Sequence, residues 1–171
     1  ASKTVKKEDE VYVSRALPMD LDKGNTSWTY LPGTLKETES IASIASSKKI
    51  KVKTYTGTEA TEEQIKSLGG KNSPTVLHIA SHGFFFPDPQ RDHERDRMMQ
   101  MMGDREQVYR YSDDPLNRAG LLFSGANHRW QDGEVPDGKE DGILTANEAT
   151  YIPLTNTELV VLSACETGLG E

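Results

Sequence analysis

TVLHIASHG, residues 75–83, and ELVVLSACETG, residues 158–168, decide the fold. Each is a short run rich in Val, Leu and Ile, entered from polar turn residues and left through Ser, Ala and Gly. That pattern predicts a central strand covered on both faces. Around these two runs, helical and strand patterns alternate. LPGTLKETESIASIASS (31–47) sets Leu35, Thr38, Ile41, Ile44 and Ala45 at spacings of three and four, with acids in the first turns, and predicts an amphipathic helix over about 34–47. IKVKTYTG (50–57) alternates apolar and polar residues up to Gly57 and predicts a half-buried strand. TEATEEQIKSL (58–68) predicts a second helix, with Thr58 or Thr61 as N-cap and a stop at Gly69 and Gly70. NRAGLLFSGAN (117–127) reads as a strand and turn, and ILTANEATYI (143–152) as a short helix capped by Thr145, with Glu148 completing a capping box. A further short strand is predicted at EVYVSRAL (10–17). Strands alternating with helices predict an α/β fold with a mainly parallel central sheet.

Composition narrows the function classes. A chain of 171 residues with 35% hydrophobic content is the size of one domain with a real core. The net charge of −7, from 27 acidic and 20 basic side chains, argues against an extended phosphate-binding surface, so no nucleic-acid partner is expected. The longest apolar runs, LVVL and AGLLF, fall far short of the roughly 20 residues that cross a bilayer. No membrane association is expected, and no signal peptide is visible at the first residue, Ala1. One cysteine forms no internal disulfide, which makes the cytoplasm the expected compartment. Residues 87–118 hold four of the five methionines amid dense charge of both signs. They read as a solvated helical insertion with its methionines facing the domain, or alternatively as a mobile lid or partner-docking surface.

In parallel sheets reactive groups gather beyond the carboxyl ends of the strands. His82 and Cys165 both follow such strands. Thiol chemistry on a peptide needs a nucleophile, a base and donors for the oxyanion. Cys165 is the candidate nucleophile and His82 the candidate base, since an imidazole stabilises the reactive thiolate. Gly83 lacks a Cβ, so its N–H can approach a substrate carbonyl and share the oxyanion with the N–H of Cys165. Other readings stay open on residues alone. A lone cysteine is often inert, and four histidines offer several partners. His78 and His82 stand four apart, with Cys165 or His93 as a third metal ligand, yet the run has strand composition and no Glu follows the first His. No metal or other cofactor is expected, and His78 suits a core-lining role with a bonded ring. A cysteine phosphatase needs Arg six residues after the thiol, where Glu171 stands instead.

LPGTLKETESIA, VLHIASHGFF, GILTANEA and LTNTELVVLSACETGLGE resemble, in wording and in order, segments of the CHAT family, bacterial caspase-like domains associated with tetratricopeptide repeats. The resemblance spans roughly residues 31–171 and leaves 1–30 as an N-terminal segment, partly irregular. It implies a caspase-like three-layer sandwich and a cysteine endopeptidase of the caspase, separase and gingipain clan. His82 and Cys165 would be its dyad, and Gly83 would follow the family's histidine as an oxyanion donor. It further implies limited proteolysis of a specific protein substrate, triggered by a tetratricopeptide-type or other sensor region, in bacterial defence or cell death. An interaction module without turnover is the alternative. Two features depart from the family pattern. The insertion at about 87–118 is longer and more charged, and the chain stops at Glu171, so the C-terminal part of the fold is expected to be missing. Strand 159–163 is then expected to leave an apolar edge uncovered, and a complementary C-terminal small-subunit fragment, made by cleavage just after Glu171, is the expected partner. Truncation is the plain alternative.

Overall fold

A computed structural model describes residues 27–88, 109–110, 112–131 and 134–164. The strand predicted at 10–17, most of the 87–118 insertion, and Cys165 lie outside the described residues.

Two long-separated runs form the centre. β1 (Val76–Ala80) pairs in parallel with β5 (Leu159–Ser163), in a register running from Val76 opposite Leu159 to Ala80 opposite Ser163. One face of this pair meets α1 (Pro32–Ser47), whose first turn accommodates Pro32 because an N-terminal N–H has no helical partner to lose. The other face buries Leu77 against Ile65 and Leu144, flanked by Leu68, Ile79, Phe123, Ile152 and Leu154. Ile65 belongs to α2 (Glu62–Ser67), where the Thr61 side chain accepts from the Gln64 N–H at 3.2 Å.

A second, antiparallel sheet follows in the order β2 (His82–Phe85), β3 (Ala119–Leu122), β4 (Ile143–Thr145). A Cβ at Gly120 would stand 2.6 Å from the Leu144 carbonyl oxygen, so only glycine lets the backbone approach this closely. α3 (Ala126–Trp130) lies between β3 and β4 in the chain, and α4 (Ala146–Ala149) follows β4 with the Thr145–Glu148 capping box in place. Phe84, Phe86, Leu122, Ala126, Trp130 and Ile143 make a second core, with Trp28 and Tyr109 packed against it. The result is a mixed α/β structure, compatible with part of a caspase-like sandwich. No helix among the described residues is long and apolar enough to cross a membrane.

Two expectations are corrected. Residues 50–56 are not in a strand: Ile50 is 61% exposed, and no described strand runs alongside to complete a ladder, which alternation alone does not supply. β5 is not covered on both faces: Leu159, Val160, Val161 and Leu162 are 37–52% exposed, and among the described residues β1 is its one neighbouring strand. His82 follows the carboxyl end of β1 and, after Ser81, opens the second sheet at once.

Candidate active site

His82 follows Ser81, the joint between the two sheets. The Ser81 N–H donates to the Ser163 carbonyl at 3.2 Å, extending the parallel ladder one step past β1. The Ser81 hydroxyl donates to the Leu122 carbonyl, tying the same residue to the antiparallel sheet. His82 then opens β2, opposite Leu122. Its ring Nε2 lies 2.6 Å from the Thr29 carbonyl oxygen. A carbonyl only accepts, so Nε2 carries the hydrogen, and in the neutral ring Nδ1 then holds the lone pair of a proton acceptor. The Trp28 ring lies against the imidazole at 5.1 Å between centroids, and Trp130 meets Trp28 edge-on at 5.4 Å.

Gly83 is buried next to His82 and faces Leu121. The Phe86 N–H donates to the Arg118 carbonyl at 2.8 Å. Since N–H groups alternate along a strand, those of Phe84 and His82 face β3 and that of Gly83 faces the opposite edge. Among the described residues no strand pairs there. Cys165 lies outside the described residues, as does His93; the last described residue before the cysteine is Ala164. Ala80 is opposite Ser163, and from that pair the chain counts the same number of residues forward to His82 and to Cys165.

His78 does not join His82 at a shared centre. Its Nε2 lies 3.0 Å from Glu37 Oε1, while Glu37 Oε2 accepts from the Ser163 hydroxyl at 2.9 Å. One carboxylate of α1 thus ties together β1 and the exit of β5. The sequence specifies neither this bridge nor the Thr29 carbonyl. The first had a signal in Glu37 on the predicted helix; the second is a backbone group and had none.

A second charged cluster lies away from His82. The Lys66 ammonium is 2.7 Å from Glu62, 2.8 Å from Glu140 and 3.3 Å from Glu148. The three carboxylates are close enough to hold a metal ion, but Lys66 already occupies the cation's place. Burial pushes the Glu62 carboxyl up to about 6, against the pull of Lys66. Burial also opposes charge on Lys66, yet Glu140 and Glu62 outweigh it and hold the ammonium above the usual lysine range. For Glu148, burial is outweighed by the Thr145 N–H and hydroxyl and by Lys66, which hold its carboxyl below the usual value. A polar cleft of about 290 Å³, lined by Tyr109, Ser112, Asn117, Asp141, Thr145 and Glu148, adjoins this cluster and includes none of the residues expected at the site.

A mixed α/β scaffold with a parallel strand pair beside an antiparallel sheet is compatible with part of the caspase-like class of fold. The family model for the CHAT domain matches residues 2–171, and the chain belongs to this family of caspase-like cysteine peptidases. Comparison with curated proteins and with solved structures found no match. Membership gives the chain a caspase-like, peptidase-related character.

Proposed function

We propose that the chain is a cysteine endopeptidase with His82 as base and Cys165 as nucleophile. The observation that carries this reading is the bond from His82 Nε2 to the Thr29 carbonyl, which leaves Nδ1 as a proton acceptor at the exit of the β1–β5 pair. In the proposed reaction, Nδ1 takes the thiol proton and the thiolate attacks the scissile carbonyl carbon. The N–H groups of Gly83 and Cys165 hold the oxyanion; the outward direction of the Gly83 N–H supports its part. The imidazolium next protonates the leaving amine, the C–N bond breaks, and water activated by His82 releases the acid from the thioester. The Thr29 carbonyl does the orienting that a third side chain does in a Ser–His–Asp triad.

The uncovered aliphatic side chains of β5 support a complementary small-subunit fragment that packs against this strand. The substrate is a specific protein cut at few sites, under control of a tetratricopeptide-type or other sensor region, in cytoplasmic defence or cell death. The test is cleavage of a peptide library by wild type, Cys165→Ala and His82→Ala, each expressed with the complementary fragment. Cleavage by wild type alone supports the reading. Equal cleavage by Cys165→Ala overturns it, and a wild type that binds a protein partner without cutting it points to an interaction module.

A further inference from the structure

We infer that Asn127 is a positioning residue for His82, acting through the backbone of Trp28; this rests on the reading of His82 as the base. Asn127 stands in the first turn of α3, just after Gly125, whose φ of +102° swings the chain into the helix. Its side-chain amide engages both polar groups of one distant residue. Oδ1 accepts from the Trp28 N–H at 2.6 Å, and Nδ2 donates to the Trp28 carbonyl at 2.8 Å. A primary amide offers a donor and an acceptor side by side, so it pairs with an extended backbone as a neighbouring strand would. Both peptide planes of Trp28 are thereby fixed.

The next carbonyl along the chain is that of Thr29, the acceptor for His82 Nε2. The order of contact runs from the Asn127 amide to the Trp28 backbone, to the Thr29 carbonyl, to the imidazole. Among the described residues, the Asn127 and His82 bonds are the hydrogen bonds that tie 27–29 to the rest of the chain. The same helix also supplies the apolar side of the mount. Trp130, at its other end, meets the Trp28 ring edge-on at 5.4 Å, and Trp28 in turn lies against His82. One five-residue helix therefore sets the position of the carbonyl and of the ring against which the base rests. No atom of Asn127 is within this set of contacts to the imidazole itself, so its effect is on orientation. A general base works only when its lone pair is held in line with the proton it takes.

The test reads the imidazole directly and the reaction separately. In wild type, NMR is expected to show a slowly exchanging His82 Nε2–H proton, protected by the Thr29 carbonyl. Asn127→Ala is expected to speed its exchange by about tenfold and to lower kcat, with little change in KM, by a similar factor, a small part of the roughly 10²–10⁴ a positioned base supplies. Asn127→Asp keeps the acceptor for the Trp28 N–H, lacks the donor, and suits the first turn of a helix, so it folds and is expected to fall between the two. Thr61→Ala, which removes the α2 cap, serves as a control for lost stability without a link to His82. Unchanged Nε2–H exchange in both Asn127 variants overturns the inference, as does an equal loss of kcat in Thr61→Ala. A wild type without peptidase activity, whose Nε2–H protection still depends on Asn127, overturns the proposed reaction and leaves the positioning role standing.

Discussion

Replacing Lys66 with Met removes the cation shared by Glu62, Glu140 and Glu148 while keeping much of the aliphatic stem. The size of the effect depends on pH through Glu62, whose side chain is 0% exposed. Its carboxyl titrates near 6 in the folded chain against 4.5 ordinarily. Between those values the folded state holds a proton that the unfolded state has lost, so stability declines as pH rises through the window, by about 2 kcal/mol. Without Lys66 the carboxyl keeps its proton to still higher pH, and at pH 7.5 its charge becomes more costly. Stripping the partner from a buried charge costs about 3–5 kcal/mol. Here proton uptake and the remaining 2.9 Å bond from the Gly142 N–H bring the loss to the lower end. At pH 5 Glu62 is neutral with or without Lys66. Glu140 and Glu148 are 39% and 40% exposed, so their lost attraction is worth about 1 kcal/mol in all. The expected destabilisation is about 3 kcal/mol at pH 7.5 and about 1 kcal/mol at pH 5. Urea denaturation followed by tryptophan fluorescence, with Trp130 buried as reporter, measures both. Equal losses at the two pH values, or a larger one at pH 5, refute the reasoning.

Arg118→Met is expected to cost about 2–4 kcal/mol, because the buried guanidinium donates from Nε to the Phe86 carbonyl at 3.3 Å and from Nη1 to the Ser112 carbonyl at 3.0 Å. Arg118→Lys is not expected to rescue it, since an ammonium cannot reproduce the planar fork; a thermal melt of Arg118→Lys close to wild type contradicts this. Gly142→Ala is expected to lower stability by about 2 kcal/mol or more, with φ at +82° and a new Cβ placed 2.5 Å from the Ala126 nitrogen. A melting point within one degree of wild type would show that the turn relaxes freely. Leu159→Lys with Leu162→Lys is expected to reduce hydrophobic-dye binding and self-association while leaving stability within about 0.5 kcal/mol, as at other exposed positions. Unchanged dye binding would mean that β5 is covered in solution.

Features whose cause is local in the chain were legible in the sequence. The β1 and β5 runs, the helix at 32–47, the Thr61 cap and the Thr145–Glu148 capping box all depend on residues within a few positions of one another. Features that need a distant partner were not. Residues 50–56 alternate like a strand, yet a ladder needs a neighbour that the pattern does not specify. α3 is five residues long, too short for periodicity to declare it. The Lys66 cluster was half visible, since Glu62 and Lys66 are four apart on one helix, but Glu140 is 74 residues away. At the candidate site, His82 and Gly83 were readable as residue types at a strand exit. The Thr29 carbonyl, 53 residues from His82, carries no side-chain signature.

Ser81 acts as a fulcrum. On one side its amide holds to the parallel pair, and on the other its hydroxyl holds to the antiparallel sheet that His82 opens. The parallel pair ends at Ala80 and Ser163, whereas the imidazole rides on β2. The placement of the imidazole relative to the end of β5 is therefore a mechanical property of how two sheets meet at one serine. A misplacement of about 1 Å between reacting groups is enough to slow chemistry by about 10²-fold. A change that shifts Ser163 therefore reaches the imidazole through the Ser81 backbone, without any contact to the ring.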